Sequence, residues 1–192
     1  MKKGFTIVEV SILFVIFIIV TFLVAPLSLD DTKQAKNASR WRNVQADFVN
    51  IVYSMSSEEN SEETNLIERF DSIINNEVKE NVKPYKILFM NGTYPSKSYL
   101  FKDYKKTYSN AVVAYKFYDE PVNEALGVLM YDVNGTDSPN VWGKDVFGLK
   151  IYNDGFEPLG KENSLAEQKQ DCSRNGTGLY CSNYYLIGGN FE

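Results

Sequence analysis

The sequence predicts an α+β fold, a long N-terminal helix followed by a mainly antiparallel sheet, on three observations. An almost wholly apolar run from Phe5 to Ala25 is followed by Trp41, Val44, Phe48, Ile51, Val52 and Met55 at spacings of three or four residues, the period of one helix face. A polar, acidic stretch from Ser56 to Asn65 then ends that pattern. Beyond it, short apolar runs alternate with Asn-Gly, Pro and Gly turn signals, as strands and hairpins do.

The elements follow in order. Phe5–Ala25 holds one ionisable residue, Glu9, and as a helix it measures about 31 Å, the hydrocarbon thickness of a bilayer. Lys2 and Lys3 precede it and Asp30 and Asp31 follow, an asymmetry that places the N-terminus in the cytoplasm and the remaining chain outside. Residues 26–56 form an amphipathic helix expected to lie across a sheet, with Lys33, Lys36, Arg40, Arg42, Gln45 and Asp47 on its polar side. Leu66, Ile67, Phe70, Ile73, Ile74 and Val78 mark a second short helix. Strands are expected at Lys86–Met90, Ala111–Tyr118, Ala125–Val133, Val146–Tyr152 and Tyr184–Ile187. Residues 57–192 thus make one extracytoplasmic globular domain.

Glu9 is the feature that an ordinary secretory signal leaves unexplained. Such a signal has a shorter apolar core and a small-residue cleavage site, whereas Ala25-Pro26-Leu27-Ser28-Leu29 offers no A-x-A pattern. A carboxylate in an apolar helix costs about 2 to 3 kcal/mol at a bilayer centre and needs a partner. No Lys, Arg or His lies between Lys3 and Lys33. A free amine created at Phe5 by cleavage would supply the charge, meeting the Glu9 of a neighbouring identical helix.

Lys2-Lys3-Gly4, then Phe5-Thr6-Ile7-Val8-Glu9 and the apolar run, resembles the N-terminal signal of type IV prepilins and pseudopilins. The resemblance implies that residues 1–4 are a leader removed after Gly4 by a prepilin peptidase, which N-methylates Phe5, and that Glu9 sets the register of assembly. It also implies that Pro26 bends the long helix, and that the fold is pilin-like, with a transmembrane half (residues 5–25) and an amphipathic half packed on the sheet. The implied partners are other pilin or pseudopilin subunits, the peptidase/methyltransferase, an inner-membrane assembly platform and membrane lipid. The implied location is the bacterial inner membrane, single-pass, with the domain periplasmic or carried to the cell surface in a filament.

The segment from Asp132 to Asp145 concentrates oxygen-bearing side chains around two glycines and a proline. Hard cations such as calcium take six to eight oxygens, and Asp132, Asn134, Asp137, Asn140 and Asp145 can supply several. The spacing starts like an EF-hand loop but lacks the closing glutamate. The competing reading is a hydrogen-bonded turn in which Asp and Asn cap backbone amides. The D-x-N-G…P-N-x-x-G-x-D pattern also resembles a segment between late strands of secretion-system pilin-like proteins, some of which bind calcium nearby. No other cofactor is expected.

Cys172 and Cys181 are the only cysteines. In an oxidising compartment a disulfide closing their loop stabilises by about 2.5 to 3 kcal/mol through the unfolded state. In a reducing one they are free thiols, and two thiolates without histidine make a poor zinc site. The loop resembles the C-terminal disulfide loop of pilin-like subunits, with a structural role. Asn37, Asn91, Asn134 and Asn175 match the N-glycosylation pattern, the last three reading simply as Asn-Gly turns.

Composition narrows function by exclusion. The chain of 192 residues has a formal charge of −5 and no histidine, which argues against direct nucleic-acid binding and removes the commonest general base. No enzyme is expected. The expectation is a structural subunit of a pilin-like filament, a minor pseudopilin of a type II secretion system, with a type IV pilus or competence pilus subunit as the alternative. A rival of another class is a signal-anchored extracytoplasmic calcium- or ligand-binding domain that does not polymerise.

Overall fold

A computed structural model describes residues 7–57, 72 and 74–190, with no side-chain placement at 7–9, 22–31 and 49–57. The chain divides into two compact units, Met1–Lys36 and Asn37–Glu192. Helix α1 (Ile7–Ser57) belongs to the first up to Lys36 and to the second thereafter.

The second unit is built on a six-stranded antiparallel meander in sequence order: β1 (Val78–Val82), β2 (Tyr104–Thr107), β3 (Val112–Val122), β4 (Ala125–Asp132), β5 (Val146–Tyr152) and β6 (Gly155–Pro158). A short 3₁₀ turn (Lys97–Tyr99) precedes β2, and two short helices follow the sheet, α2 (Leu165–Asp171) and α3 (Cys181–Tyr184). The central pairings run from Val112↔Asp132 to Phe117↔Gly127 and from Gly127↔Ile151 to Asp132↔Val146. Gly127 sits where a Cβ would meet the Lys116 carbonyl oxygen at 2.5 Å, so a side chain there would push β3 and β4 apart.

Both faces of the sheet are buried, which is why β3, β4 and β5 read as nearly continuous apolar runs. Val113, Leu129, Phe147, Leu149 and Ile151 face one core with Ala38, Trp41 and Phe48 of α1. Trp41 stacks on Phe147 with ring centroids 5.1 Å apart, and its indole N–H donates to the Ser182 carbonyl at 2.8 Å. Val112, Ala114, Val128, Met130 and Val146 face the other core, covered by Ile87, Phe89, Phe101, Trp142, Leu159 and Leu179 from loops.

Several expectations are corrected. The pilin-like arrangement, a transmembrane half and an amphipathic half forming one long helix on the sheet, is not what the chain adopts. Among the described residues no helix is long and apolar enough to cross a membrane, which also overturns the single-pass inner-membrane placement. Among the described side chains of α1 in the second unit, Ala38, Trp41 and Phe48 are buried in the core, with Val44 beside them.

Within the sheet, β3, β4 and β5 coincide with expected strands. Lys86–Met90 is not a strand of the sheet. Its backbone is taken up by two loops instead, Leu88 N–H donating to the Asn140 carbonyl, Trp142 N–H to Leu88, and Met90 and Asn91 N–H to Thr177 and Gly176. Tyr184 ends α3 and residues 185–187 continue as a turn rather than a strand, with Tyr185 N–H donating to Cys181 and Ile187 N–H to Asn183. Of the expected second helix, residues 72 and 74–77 are helical among the described residues and Val78 opens β1, while Leu66, Ile67, Phe70 and Ile73 lie outside the described residues.

Candidate functional site

The two segments singled out by composition, Asp132–Asp145 and Cys172–Cys181, pack against each other. Cys172 and Cys181 form a disulfide with Cα atoms 5.0 Å apart. Gly143 lies so close to it that a Cβ would sit 2.6 Å from the Cys181 Sγ and 2.9 Å from the Gly178 carbonyl, and its φ of +81° is in the left-handed region. Gly178, at φ +81°, would in turn drive a Cβ to 2.1 Å from the Trp142 carbonyl. Tyr185 closes the junction, its hydroxyl donating to the Gly143 carbonyl at 3.1 Å.

Each loop is clipped by one aspartate. Asp145 accepts from Asn140 N–H at 2.9 Å through Oδ2 and from Val141 N–H at 2.7 Å through Oδ1. Asp171 accepts from Thr177 N–H and Oγ1 at 2.7 Å each and from Tyr180 N–H at 2.9 Å. Carboxylates that satisfy loop amides in this way are worth more than neutral acceptors because the bonds are charge-assisted. The α2 helix that carries Asp171 starts with a capping box, Ser164 and Glu167 bonding reciprocally.

Of the five expected calcium ligands, Asp132, Asn134, Asn140 and Asp145 meet in one hydrogen-bonded loop, and Asp137 enters it through its backbone carbonyl. Asp132 takes the Tyr85 hydroxyl at 2.7 Å and Asn134 N–H at 3.3 Å. Asn134 Nδ2 donates to the Asp137 carbonyl at 3.0 Å. With its amide nitrogen facing inward, Asn140 donates to Asp132 Oδ2, Gly135 O and Asp137 O at 3.2, 3.3 and 3.1 Å. Both oxygens of Asp145 are occupied by amides, and the loop includes a cis peptide between Ser138 and Pro139. Among the described residues no group of three or more Asp, Glu, Cys or His side chains could hold a metal ion. The donor set therefore reads as a hydrogen-bonded turn, with Asn134 Oδ1 left buried and without a hydrogen-bond partner among the described residues.

Asp132 and Asp145 are both fully buried. Burial, and next the neighbouring Asp145 charge, pushes the Asp132 carboxyl up to about 8. Burial raises Asp145 too, against the pull of the Val141 and Asn140 amides. Burial, then the Asp132 charge, pushes the Tyr85 hydroxyl far above its ordinary value, so it remains a donor to Asp132. At neutral pH this cluster carries less negative charge than its composition implies.

Of the processing and assembly residues, Gly4 and Phe5 lie outside the described residues, as does the side-chain placement of Glu9 and Pro26; the backbone of α1 runs through both of the latter. A feature that the sequence reading missed is a cavity of about 790 Å³ bounded by the ends of β1 and β2 and by β3. Lys83 follows β1, Lys102 precedes β2 and Lys105 lies in β2, and the two strands, VKENV and YKKT, carry little apolar alternation and therefore gave no strand signal. No family model, no curated protein and no solved structure matches the chain.

Proposed function

We propose that this chain is a non-catalytic structural subunit of a pilin-like filament, of the pseudopilin kind that serves a type II secretion system. The observation that carries the reading is the first unit's apolar helix surface. From Val10 to Val20, the large aliphatic and aromatic side chains are 39% to 68% exposed, on a helix of 51 residues. A contiguous apolar surface of this kind marks an interaction site, because water does not tolerate it uncovered. Neighbouring copies of the same helix would cover it.

The N-terminal motif supplies the register. Cleavage after Gly4 creates a cationic amine at Phe5, and Glu9 of an adjacent subunit pairs with it, so that processing and assembly depend on one electrostatic contact. The second unit contributes a disulfide-clipped globular head suited to an oxidising compartment.

Mass spectrometry of the mature protein tests the reading directly. A terminus at N-methylated Phe5 is expected; an intact Met1 sinks it. Glu9→Ala is expected to leave cleavage intact and to reduce incorporation into filaments, while loss of exoprotein release in a deletion strain separates a secretion role from a surface pilus.

A further inference from the structure

The cavity beside β1 and β2 has no part in assembly as proposed above, and its lining is unlike the rest of the chain. Against an overall charge of −5, it gathers Lys83, Lys102 and Lys105 with a single carboxylate, Asp103. Its wall is aromatic: Tyr104, Tyr115 and Phe117. Lys105 is committed, its Nζ donating to Asn75 Oδ1 at 2.8 Å and to the Tyr115 hydroxyl at 2.9 Å while lying 4.9 Å from the Tyr115 ring centroid. Lys83 and Lys102 are exposed and make no hydrogen bond or ion pair with any described residue. The volume of about 790 Å³ lies within the range of ligand pockets.

We infer that this cavity is a binding site for an acidic peptide segment, two carboxylates flanking an apolar or aromatic side chain, on a polypeptide partner. The free ammonium groups of Lys83 and Lys102 take the carboxylates, and the aromatic wall takes the side chain between them. Lysines are point charges, and there is no arginine fork among the lining residues to favour the bidentate geometry of phosphate. The acidic chain as a whole repels a long polyanion such as nucleic acid, while a short segment feels chiefly the local field within a Debye length of about 8 Å. The cavity also opens at the end of β1, the outer strand of the sheet, where an extended segment finds strand backbone to run beside.

The test is titration of the full-length chain with a capped Glu-Tyr-Glu tripeptide, followed by calorimetry, beside Gln-Tyr-Gln and Lys-Tyr-Lys controls. Saturable binding of the acidic peptide alone is expected, weakening as salt rises, and at least tenfold weaker in the Lys83→Glu/Lys102→Glu variant. Both lysines are exposed, so an unchanged melting temperature confirms that the variant is folded. The proposal is overturned by no saturable binding at millimolar peptide, by equal binding of Gln-Tyr-Gln, or by undiminished binding in the folded double variant. Displacement of the peptide by inorganic phosphate or an oligonucleotide at lower concentration than the peptide itself also overturns it, in favour of a phosphate ligand. None of these outcomes depends on whether the chain forms filaments.

Discussion

The helix from Val10 to Val20 and the strands β3 to β5 are built from the same side chains in opposite surroundings. In the helix, Phe14 and Phe17 are 65% and 68% exposed; in the sheet, Val112, Val128, Leu129, Met130, Val146 and Phe147 are wholly buried. The sheet satisfies its apolar surface internally, on both faces, whereas the described helix side chains leave theirs exposed. Substitutions should separate the two.

The largest effect is expected from Trp41→Ala, which removes the stack on Phe147 and the bond to Ser182 and should cost the second unit about 3 to 5 kcal/mol in denaturant unfolding. A loss below 1 kcal/mol would show that α1 is dispensable to the sheet. Replacing Cys172 and Cys181 by serine should cost about 2.5 kcal/mol, from a loop whose ends are nine positions apart; a variant with unchanged unfolding midpoint would refute the disulfide's contribution. Asp145→Ala leaves the Asn140 and Val141 amides without acceptors and should cost about 1 to 3 kcal/mol. If the Asp145 cap instead served a calcium ion, the deficit would appear only with calcium present, so the melt is compared with and without chelator. Phe14→Ser should change unfolding by less than about 0.5 kcal/mol, the range for exposed positions, while lowering self-association measured by sedimentation. Unchanged sedimentation would break the comparison.

A pH series sharpens the sheet side. The Asp132 carboxyl sits at about 8 in the folded chain against 3.8 ordinarily, so the folded state holds its proton more tightly than the unfolded state. Its contribution to stability is whole below pH 4 and declines as pH rises through 8. The melting-temperature advantage of wild type over Asp132→Asn should therefore shrink from pH 4 to pH 8, and an advantage that grows with pH would contradict the assignment.

Much of the central sheet was legible in the sequence because β3, β4 and β5 carry short apolar runs bounded by turn signals. β1, β2 and β6 were not, since VKENV, YKKT and GFEP have polar or mixed faces with little alternation. Tyr184–Ile187 was misread as a strand because a four-residue apolar run has no period of its own. Its helix-to-turn form follows from contacts far away in the chain, with Gly148 N–H donating to Ser182 Oγ and Asn183 Nδ2 to Gln168 Oε1. The oxygen-rich segment was found by composition, but composition counts ligands without showing which lone pairs are already taken.

By itself, then, the sequence determined the apolar helix surface, strands β3, β4 and β5, the cysteine pairing partners and the Gly4-Phe5-Glu9 pattern, all of which are local in the chain. Tertiary structure alone decided that Asp145 clips a loop, that Gly143 must be small because the disulfide lies against it, and that Lys83, Lys102 and Tyr115 line one cavity. Those are facts about residues brought together over tens of positions, and burial and free lone pairs exist only once the chain has folded.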